Sequence, residues 1–359
     1  MSLRRLRTII GIELRQRVRS VGWYVLLGIF AVILIGILAL SFASFALGSG
    51  GNEWFFSLVI MLVLLLVLLV SPTLSGSAVN GDRDAATLAP VQVTLVSTAE
   101  IVIGKFLAAW ISGLAFLVVA LPFLVIATAA GELSPAAIAT SLGILVLEVG
   151  VVAAVGVGFS AVIARPIFSV ASTYLVVAAL TIGTLIAFGL GGLALRSEQV
   201  SITRDIGWDA VPPGCEPGLL NQADECPIYD ELPCVENSYV SEVPRFDRVW
   251  WVLAANPFVI LADATPPTYV GGYPQDLFSQ IAYGVRAAQK VPETETRYDG
   301  CDAPAVSPSL TPEDQVEGTA PSWFVGLLLQ LLIAGGLLAW GIARTGTPAK
   351  RLPPGTRIA

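Results

Sequence analysis

The residues of this chain that could perform chemistry are few, and they exclude more functions than they suggest. None of the 359 residues is histidine, which excludes Ser-His and Cys-His nucleophile systems, histidine-ligated zinc and histidine proton relays. The single Gly-Lys pair, Gly104-Lys105, has Ala99 where a phosphate-binding loop needs its first glycine and Phe106 where it needs serine or threonine. We therefore expect no enzyme, no nucleotide site and no metal or cofactor bound by this chain itself.

Glu148 is an acid in the middle of a long apolar run. A charged side chain in hydrocarbon is costly, and it is usually functional or paired. Glu148 is therefore either a proton or cation site, or a protonated and hydrogen-bonded structural residue. One carboxylate does not suffice for an intramembrane aspartyl protease, which needs two.

A short charged segment separates two apolar runs between Thr73 and Lys105. A loop this short, tied to an apolar run at each end, transmits displacement better than a long flexible one. Its charges can pair with a partner protein and set the register of docking. The alternative is a solvated turn without a partner. The residues of interest are Asp82, Arg83, Asp84, Thr87, Leu88, Glu100 and Lys105.

The elements that must position these residues are membrane helices. Hydrophobic residues make up 55% of the chain and charged residues 13%, which is more apolar surface than a soluble domain can bury. A helix needs about 20 apolar residues to span the hydrocarbon. Long runs without two-residue alternation predict an all-α polytopic protein with six transmembrane helices. The runs are Val21–Leu47, Trp54–Val79, Ile101–Ala130, Ala136–Ile163, Phe168–Leu195 and Ser322–Ala343.

The charges are divided unevenly along the chain. The segment 197–321 holds 20 acidic and only 6 basic residues. Positively charged residues in short flanks stay on the cytoplasmic side, so the remaining bases predict cytoplasmic termini and an extracellular acidic segment. Apart from Arg196, which directly precedes the acidic segment, these bases are Arg4, Arg5, Arg7, Arg15, Arg17, Arg19, Arg83, Lys105, Arg165, Arg344, Lys350, Arg351 and Arg357.

The four cysteines support the same topology. Cys215, Cys226, Cys234 and Cys301 all lie in the acidic segment, and disulfides persist in extracytoplasmic space. Four cysteines allow three connectivities, and four free thiols are a further alternative. We favour Cys215–Cys226, which closes a short local loop, together with Cys234–Cys301.

The N-terminal residues 1–20 predict an amphipathic helix in the inner membrane interface. Apolar residues recur at intervals of three and four from Leu3 to Val18, while the charged residues lie mostly on other faces. This helix is either an anchor that fixes orientation or an elbow helix that also contacts a cytoplasmic partner. The elbow residues of interest are Arg4, Arg7, Glu13 and Arg15.

The acidic segment contains a second apolar stretch, Val249–Ala264. It is too short to cross a bilayer and is interfacial, re-entrant or a buried core helix. Trp250 and Trp251 favour the headgroup level, which predicts that the stretch lies at the outer membrane surface. The residues that follow, up to Ala320, are predicted to be rich in loops.

Several of these features together resemble the permease subunit of type 2 ATP-binding-cassette (ABC) transporters, with a type V exporter-like fold. The segment Gly81-Asp82-Arg83-Asp84-Ala85-Ala86-Thr87-Leu88 is similar to the family's cytoplasmic coupling loop, although Ala86 replaces a glycine. The segment Thr98–Lys105 is similar to the family's entry into the third span, and Asn256-Pro257-Phe258 to a motif before its last span. The acidic, cysteine-bearing insertion is not a general feature of the family.

The resemblance implies an exporter of a hydrophobic or amphipathic substrate in the plasma membrane of a bacterium. It implies a separate ABC ATPase subunit on the cytoplasmic face, with ATP and Mg bound there. It also implies a second permease chain in a homo- or heterodimer, contact with lipid, and no nucleic acid. The substrate path is expected at the dimer interface, along Phe55, Phe56, Met61, Tyr174, Thr181 and Phe188.

The expected organisation has five parts. They are an elbow helix at 1–20, five transmembrane helices at 21–196 with the coupling loop at 80–100, an extracellular domain at 197–321, the sixth helix at 322–344 and a cytoplasmic tail at 345–359. Two alternatives stay open. One is a non-transport sensor or scaffold that displays the external domain, and the other is an ion-coupled transporter that uses Glu148.

Overall fold

A computed structural model describes residues 2–46, 53–85, 97–130, 134–207, 233–301 and 310–346. Thr87, Leu88, Cys215, Cys226 and the tail beyond residue 346 lie outside the described residues. The described chain is mostly helical. The helices are α1 (Leu3–Val18), α2 (Val21–Ala46), α3 (Glu53–Ser75), α4 (Asn80–Asp84), α5 (Thr98–Ala130), α6 (Pro135–Val162), α7 (Pro166–Ala178), α8 (Thr184–Ala194), α9 (Trp250–Ala254), α10 (Pro257–Ala264), α11 (Leu277–Ala287), α12 (Pro312–Gln315) and α13 (Trp323–Thr345).

Among the described residues, six helical stretches are long and apolar enough to cross a membrane, which confirms the six runs predicted from hydropathy. The fifth is not a regular helix, because one π-helical turn at Ala179–Gly183 joins α7 to α8. In the order of the chain the stretches are Val21–Ala43, Trp54–Asp84, Thr98–Ala129, Pro135–Val162, Pro166–Ala194 and Trp323–Thr345.

Helix α6 is the centre of the bundle. It is the most buried of the six spans and packs against α3, α5, α7, α10 and α13. By contrast, only 11% of the apolar window of α2, and of the fifth span, is buried. These two spans therefore lie at the periphery, where lipid or another chain can cover them.

Two glycines bring α6 and α13 into backbone contact. A Cβ atom on Gly158 would lie 2.8 Å from Leu337 Cβ, and one on Gly341 would lie 2.7 Å from Ala161 Cβ. Small residues at a membrane helix interface allow this close approach. Because the contacts advance together along both chains, α6 and α13 run parallel.

The helix ends sort the charges of the chain to opposite ends of the bundle. At one end of the bundle, several elements meet: helices α1 and α4, the start of α5, and the ends of α6 and α13. This end also carries Arg165 and Arg344, and it is called the basic end below. The described residues between Leu195 and Ser322 belong to the opposite end, which is called the acidic end. This arrangement agrees with six crossings and with both described termini on one side.

The acidic end carries a three-stranded sheet in the order β2-β1-β5. Strand β1 (Arg196–Ile206) pairs antiparallel with β2 (Cys234–Pro244), from Arg196 opposite Pro244 to Ile206 opposite Cys234. It pairs in parallel with β5 (Glu295–Asp299). A small hairpin joins β3 (Tyr269–Val270) to β4 (Tyr273–Pro274).

A disulfide between Cys234 and Cys301 links the two edge strands of this sheet, with Cα atoms 6.2 Å apart. This pair is one of those predicted from the sequence. It closes a loop of 67 residues, and such a crosslink stabilises mainly by restricting the unfolded chain.

The prediction for Val249–Ala264 needs revision, because the stretch does not lie flat on the membrane surface. It forms α9 and α10, separated by Ala255 and Asn256, and α10 packs against α6, α11 and α13. Asn256 contacts Thr184, which lies ten residues, or about 15 Å of helix, before the end of α8 at Ala194. The break therefore reaches deep between the spans, in the re-entrant arrangement that was one of the three alternatives.

The prediction that the residues after Ala264 are rich in loops holds only in part, because half of the described residues from 265 to 320 lie in helices or strands. Helix α11 is strongly amphipathic and buries Phe278, Ala282 and Val285. Its start is fixed by Asp276, whose carboxylate accepts a hydrogen bond from Ser279 N at 2.7 Å, and by Ser57, whose hydroxyl accepts from Leu277 N at 3.2 Å.

Asp263 holds α10, α11 and α13 together at the acidic end. One carboxylate oxygen accepts from the Arg286 guanidinium at 2.7 Å, and the other accepts from Ser322 N, Ser322 Oγ and Trp323 N. A carboxylate at the start of α13 satisfies backbone N–H groups that have no partner within the helix. The re-entrant segment and the sixth span are thus joined as one unit.

The glycine contact between α6 and α13 gives a direct test of this packing. We expect Gly341→Val to destabilise the protein by about 1–3 kcal/mol, because the new side chain overlaps Ala161. Gly336→Val in the same helix is the matched control, since a Cβ there meets nothing within 4 Å. Thermal unfolding in detergent measures both, and equal melting temperatures for the two variants would contradict the packing.

Candidate functional site

Lys105 is the centre of the charged cluster at the basic end. Its side chain is only 3% exposed, and its ammonium pairs with Asp82 at 2.6 Å and with Glu13 at closer range. Glu13 comes from α1, Asp82 from α4 and Lys105 from α5. One buried cation therefore joins three helices that are distant in sequence.

Gly104 makes this arrangement possible. A Cβ atom at Gly104 would lie 2.8 Å from Ile9 Cγ2, so α1 crosses α5 closely only because residue 104 has no side chain. The next residue, Lys105, then reaches Glu13 on the crossing helix. The Gly-Lys pair thus has a structural use, which is to seat α1 on α5.

Arg17 adds a second cation on the face of α1 that carries Glu13, one turn further along. Its Nη2 donates to Leu74 O at 3.0 Å, while Nη1 is buried and has no hydrogen-bond partner among the described residues. Burial lowers the pKa of the Arg17 guanidinium, and the Glu13 carboxylate raises it. Arg17 therefore fixes α1 to the end of α3.

Glu100 is fully buried, and its carboxylate holds the start of α5. One oxygen accepts from Ser2 N at 2.6 Å and lies 3.4 Å from Arg5, and the other accepts from Ser97 N at 2.9 Å. Because Glu100 N in turn donates to Ser97 Oγ at 3.3 Å, the two residues form a capping box. Glu100 thus begins α5 and also fastens the N-terminus of α1.

A third set of contacts joins α4 to the ends of α6 and α13. Asn80 is fully buried, donates from Nδ2 to Ile163 O at 3.1 Å, and accepts from Ser160 Oγ at 3.0 Å. Arg83 donates to Thr345 Oγ1 at 3.3 Å. Helix α4 is therefore attached to the fourth and sixth spans as well as to α1 and α5.

The structure brings most of the predicted coupling residues together but gives them internal partners. Asp82, Arg83, Glu100 and Lys105 all bond to other helices of the same chain. The sequence had suggested that Asp82 and Arg83 could face a partner protein. Of the predicted coupling and elbow residues that the structure describes, those with exposed side chains are Arg4, Arg7, Arg15 and Asp84.

The residues predicted for a substrate path are divided between the interior and the surface. Phe56 and Met61 are buried in the core of the single chain, where Phe56 contacts Phe278 edge-to-face. Phe55 packs at the edge of that core and contacts Phe42. Tyr174, Thr181 and Phe188 lie partly exposed along the fifth span.

Sequence reasoning missed several residues of the basic end, and one of them left a local signal. The Ser97-Thr98-Ala99-Glu100 run has the spacing of a capping box, which could have identified the start of α5. Asn80, Ser160 and Arg17 could not have been found in that way, because their partners are distant in the sequence.

The ion pairs and hydrogen bonds of the cluster can hold the helices in register. Within the described residues, no group of three or more histidine, cysteine or acidic side chains is placed to hold a metal ion. No family model matches the chain, and a search of curated proteins likewise finds no match.

The role of Lys105 can be tested by removing its charge. We expect Lys105→Met to destabilise the protein by about 3 kcal/mol, because Glu13 and Asp82 lose the buried ammonium that joins them. The value lies at the low end of the range for broken buried ion pairs, since the Asp82 side chain is partly exposed. Thermal unfolding in detergent measures the loss. Arg7→Met, on the exposed face of α1, is the control. If the two variants unfold at the same temperature, Lys105 does not hold the helices together.

Proposed function

We propose that this chain is the permease subunit of an ABC transporter, and that a separate ATPase subunit docks on its basic end. The observation that carries the proposal is the bonding of Lys105 to Glu13 and Asp82, which makes one mechanical unit of α1, α4 and α5. A permease without its own ATP site needs such a unit, because work must enter through contacts with the ATPase.

Displacement of α4 would be transmitted to most of the bundle. Asp82 would carry it to α5 through Lys105, Asn80 to the end of α6, and Arg83 to the end of α13. Packed interfaces move as units between discrete arrangements, so a short shift at one end can change the packing of several spans. In this proposal the segment 80–100 is the coupling loop, and α1 is the elbow helix.

The charge of the exposed residues indicates what the ATPase would present. Arg4, Arg7 and Arg15 on α1 give the docking surface a positive character, with Asp84 as its negative member. Complementary potentials steer docking and select the partner, so we expect acidic residues opposite α1. Asp82 and Glu100 act inside the permease and take no part in this recognition.

A second copy of the chain, or a related permease, would cover the fifth span. This span buries little within one chain and exposes large apolar residues, among them Leu175, Ile182, Ile186 and Leu190. The substrate path would then run beside Tyr174, Thr181 and Phe188. An apolar wall of this kind suits a hydrophobic or amphipathic substrate, which the transporter would export from a plasma membrane with its basic end cytoplasmic.

Purification of the full chain with its native partner tests the proposal. Tagged protein extracted from its own membranes in mild detergent is expected to bring down a subunit with Walker motifs and ATPase activity. The triple variant Arg4→Glu, Arg7→Glu, Arg15→Glu should lose at least ten-fold of that ATPase, because it reverses the charge of the docking surface.

The control for this experiment lies at the other end of the molecule. Arg196 is exposed on the sheet, with a side chain 54% accessible, and Arg196→Glu should leave recovery of the ATPase unchanged. Absence of an ATPase from the wild-type preparation would refute the proposal. An equal loss in the Arg196 variant would show that the basic end is not the docking surface.

A further inference from the structure

A buried carboxyl group lies halfway along α6, in the middle of the bundle. Glu148 is 1% exposed, and its Oε1 has no hydrogen-bond partner among the described residues. An ionised carboxylate in such a place costs several kcal/mol unless a cation or several donors compensate it. Glu148 Oε1 therefore needs a hydrogen-bond partner, which the hydrogen bonds among the described residues do not provide.

Gln330 on α13 also has a buried oxygen without a hydrogen-bond partner among the described residues. Its side chain is 1% exposed, and its Nε2 donates to Ala255 O at 3.0 Å, at the break between α9 and α10. Its Oε1 is buried and has no partner among the described residues. Because the amide group is planar, that oxygen points away from Ala255.

The register of the two parallel helices puts both residues at nearly the same level. The glycine contacts pair Gly158 with Leu337 and Ala161 with Gly341, at offsets of 179 and 180 residues, while Glu148 and Gln330 are 182 residues apart. The difference of two to three residues is about 3–4.5 Å of helix, which is less than one turn. Glu148 and Gln330 each lie one turn before a member of the cluster that joins α6 to α13, and we place both side chains at this interface within one turn of each other.

We propose that Glu148 holds a proton and donates it in a hydrogen bond to Gln330 Oε1, which makes a proton-binding site between the fourth and sixth spans. Both unpartnered atoms are oxygen acceptors, and one proton would satisfy both, since it turns the carboxyl group into a donor. A hard metal cation such as Ca²⁺ needs six or more oxygen ligands, more than the two orphan oxygens supply. When the proton leaves for water, it leaves an unpaired charge in the apolar interior.

The charged and titratable side chains of the helices around α6 lie elsewhere or are already engaged. Toward the basic end these are Glu100 and Lys105 on α5, Arg165 before α7, and Arg344 at the end of α13. Asp263 on α10 binds Arg286 and the start of α13, and the Tyr174 hydroxyl donates to Leu69 O. Glu53 stands at the start of α3, at the acidic end. Among the described residues, none of these charged groups bonds to Glu148, and a bound proton would neutralise it.

The proton site is connected to the re-entrant segment and to the fifth span. Gln330 holds the carbonyl of Ala255, and the adjacent Asn256 donates from Nδ2 to Thr181 O at 2.7 Å and to Thr184 Oγ1 at 2.9 Å. Thr181 lies in the π-helical turn, where a carbonyl loses its usual partner. Loss of the proton from Glu148 would therefore loosen a polar layer that joins three spans. This inference is independent of any ATPase partner.

Infrared spectroscopy of the full chain in detergent detects this proton directly. A protonated carboxyl group has a C=O stretching band separate from that of a carboxylate, and exposed acids do not contribute to it at neutral pH. The band is expected in the wild type and in Glu198→Gln, which alters an exposed acid, and it should be absent from Glu148→Gln. In Gln330→Met the band should shift to higher frequency, because the acceptor of the hydrogen bond is gone.

If the variants fail to fold, a pH titration of the wild type still tests the proposal, because it follows the carboxyl band and the melting temperature of the native protein. The band is expected to persist well above the pH at which exposed carboxyl groups ionise, and the melting temperature should fall as the proton is released. Glu148→Gln should lack that fall. No band in the folded wild type at neutral pH would overturn the proposal, and so would a band that Gln330→Met leaves unchanged.

Discussion

Much of the architecture depends on one cation that is nearly removed from solvent. Lys105 would destabilise the bundle if it stood alone, since burying an unpaired ammonium costs several kcal/mol. Glu13 and Asp82 compensate it, and both must be in place at once. The N-terminal helix is therefore part of the folded bundle. If it left α5, the Lys105 ammonium would lose its ion pair with Glu13. The close crossing at Gly104 adds an apolar contact to the same joint.

The acidic end solves a different problem, which is how to place irregular backbone deep among apolar helices. Backbone groups at that depth must find partners inside the protein. Asn256 supplies one for the π-helical turn of the fifth span, Gln330 supplies one for Ala255, and Asp263 supplies several for the start of α13. Side-chain amides and one carboxylate thus replace the hydrogen bonds that regular helix would have made. Both ends of the bundle combine ion pairs with backbone capping, through Lys105 and Glu100 at the basic end and through Asp263 at the acidic end.

The sequence was informative where the signal is local and less so where pairing is distant. Hydropathy located all six spans, and the position of the cysteines led to the Cys234–Cys301 bridge. Helix α11 escaped notice because it is short and because the sequence on both sides of it is rich in proline and acid. The π-helical turn has no composition of its own. The internal pairing of Asp82 could not be foreseen either, because Glu13 and Lys105 approach it only after three helices have packed.

Only Leu195 separates the end of α8 at Ala194 from the start of strand β1 at Arg196, so the fifth span continues almost directly into the sheet. Strand β2 returns to the same place, where Arg245 N donates to Gly192 O and Leu195 O and satisfies the last carbonyls of the helix. The disulfide then holds the far ends of the strands. A strand of 11 residues extends about 36 Å, so the sheet projects a long way from the end of one helix and moves with it. A tilt of that helix by about 5° would therefore move the far end of the sheet by about 3 Å.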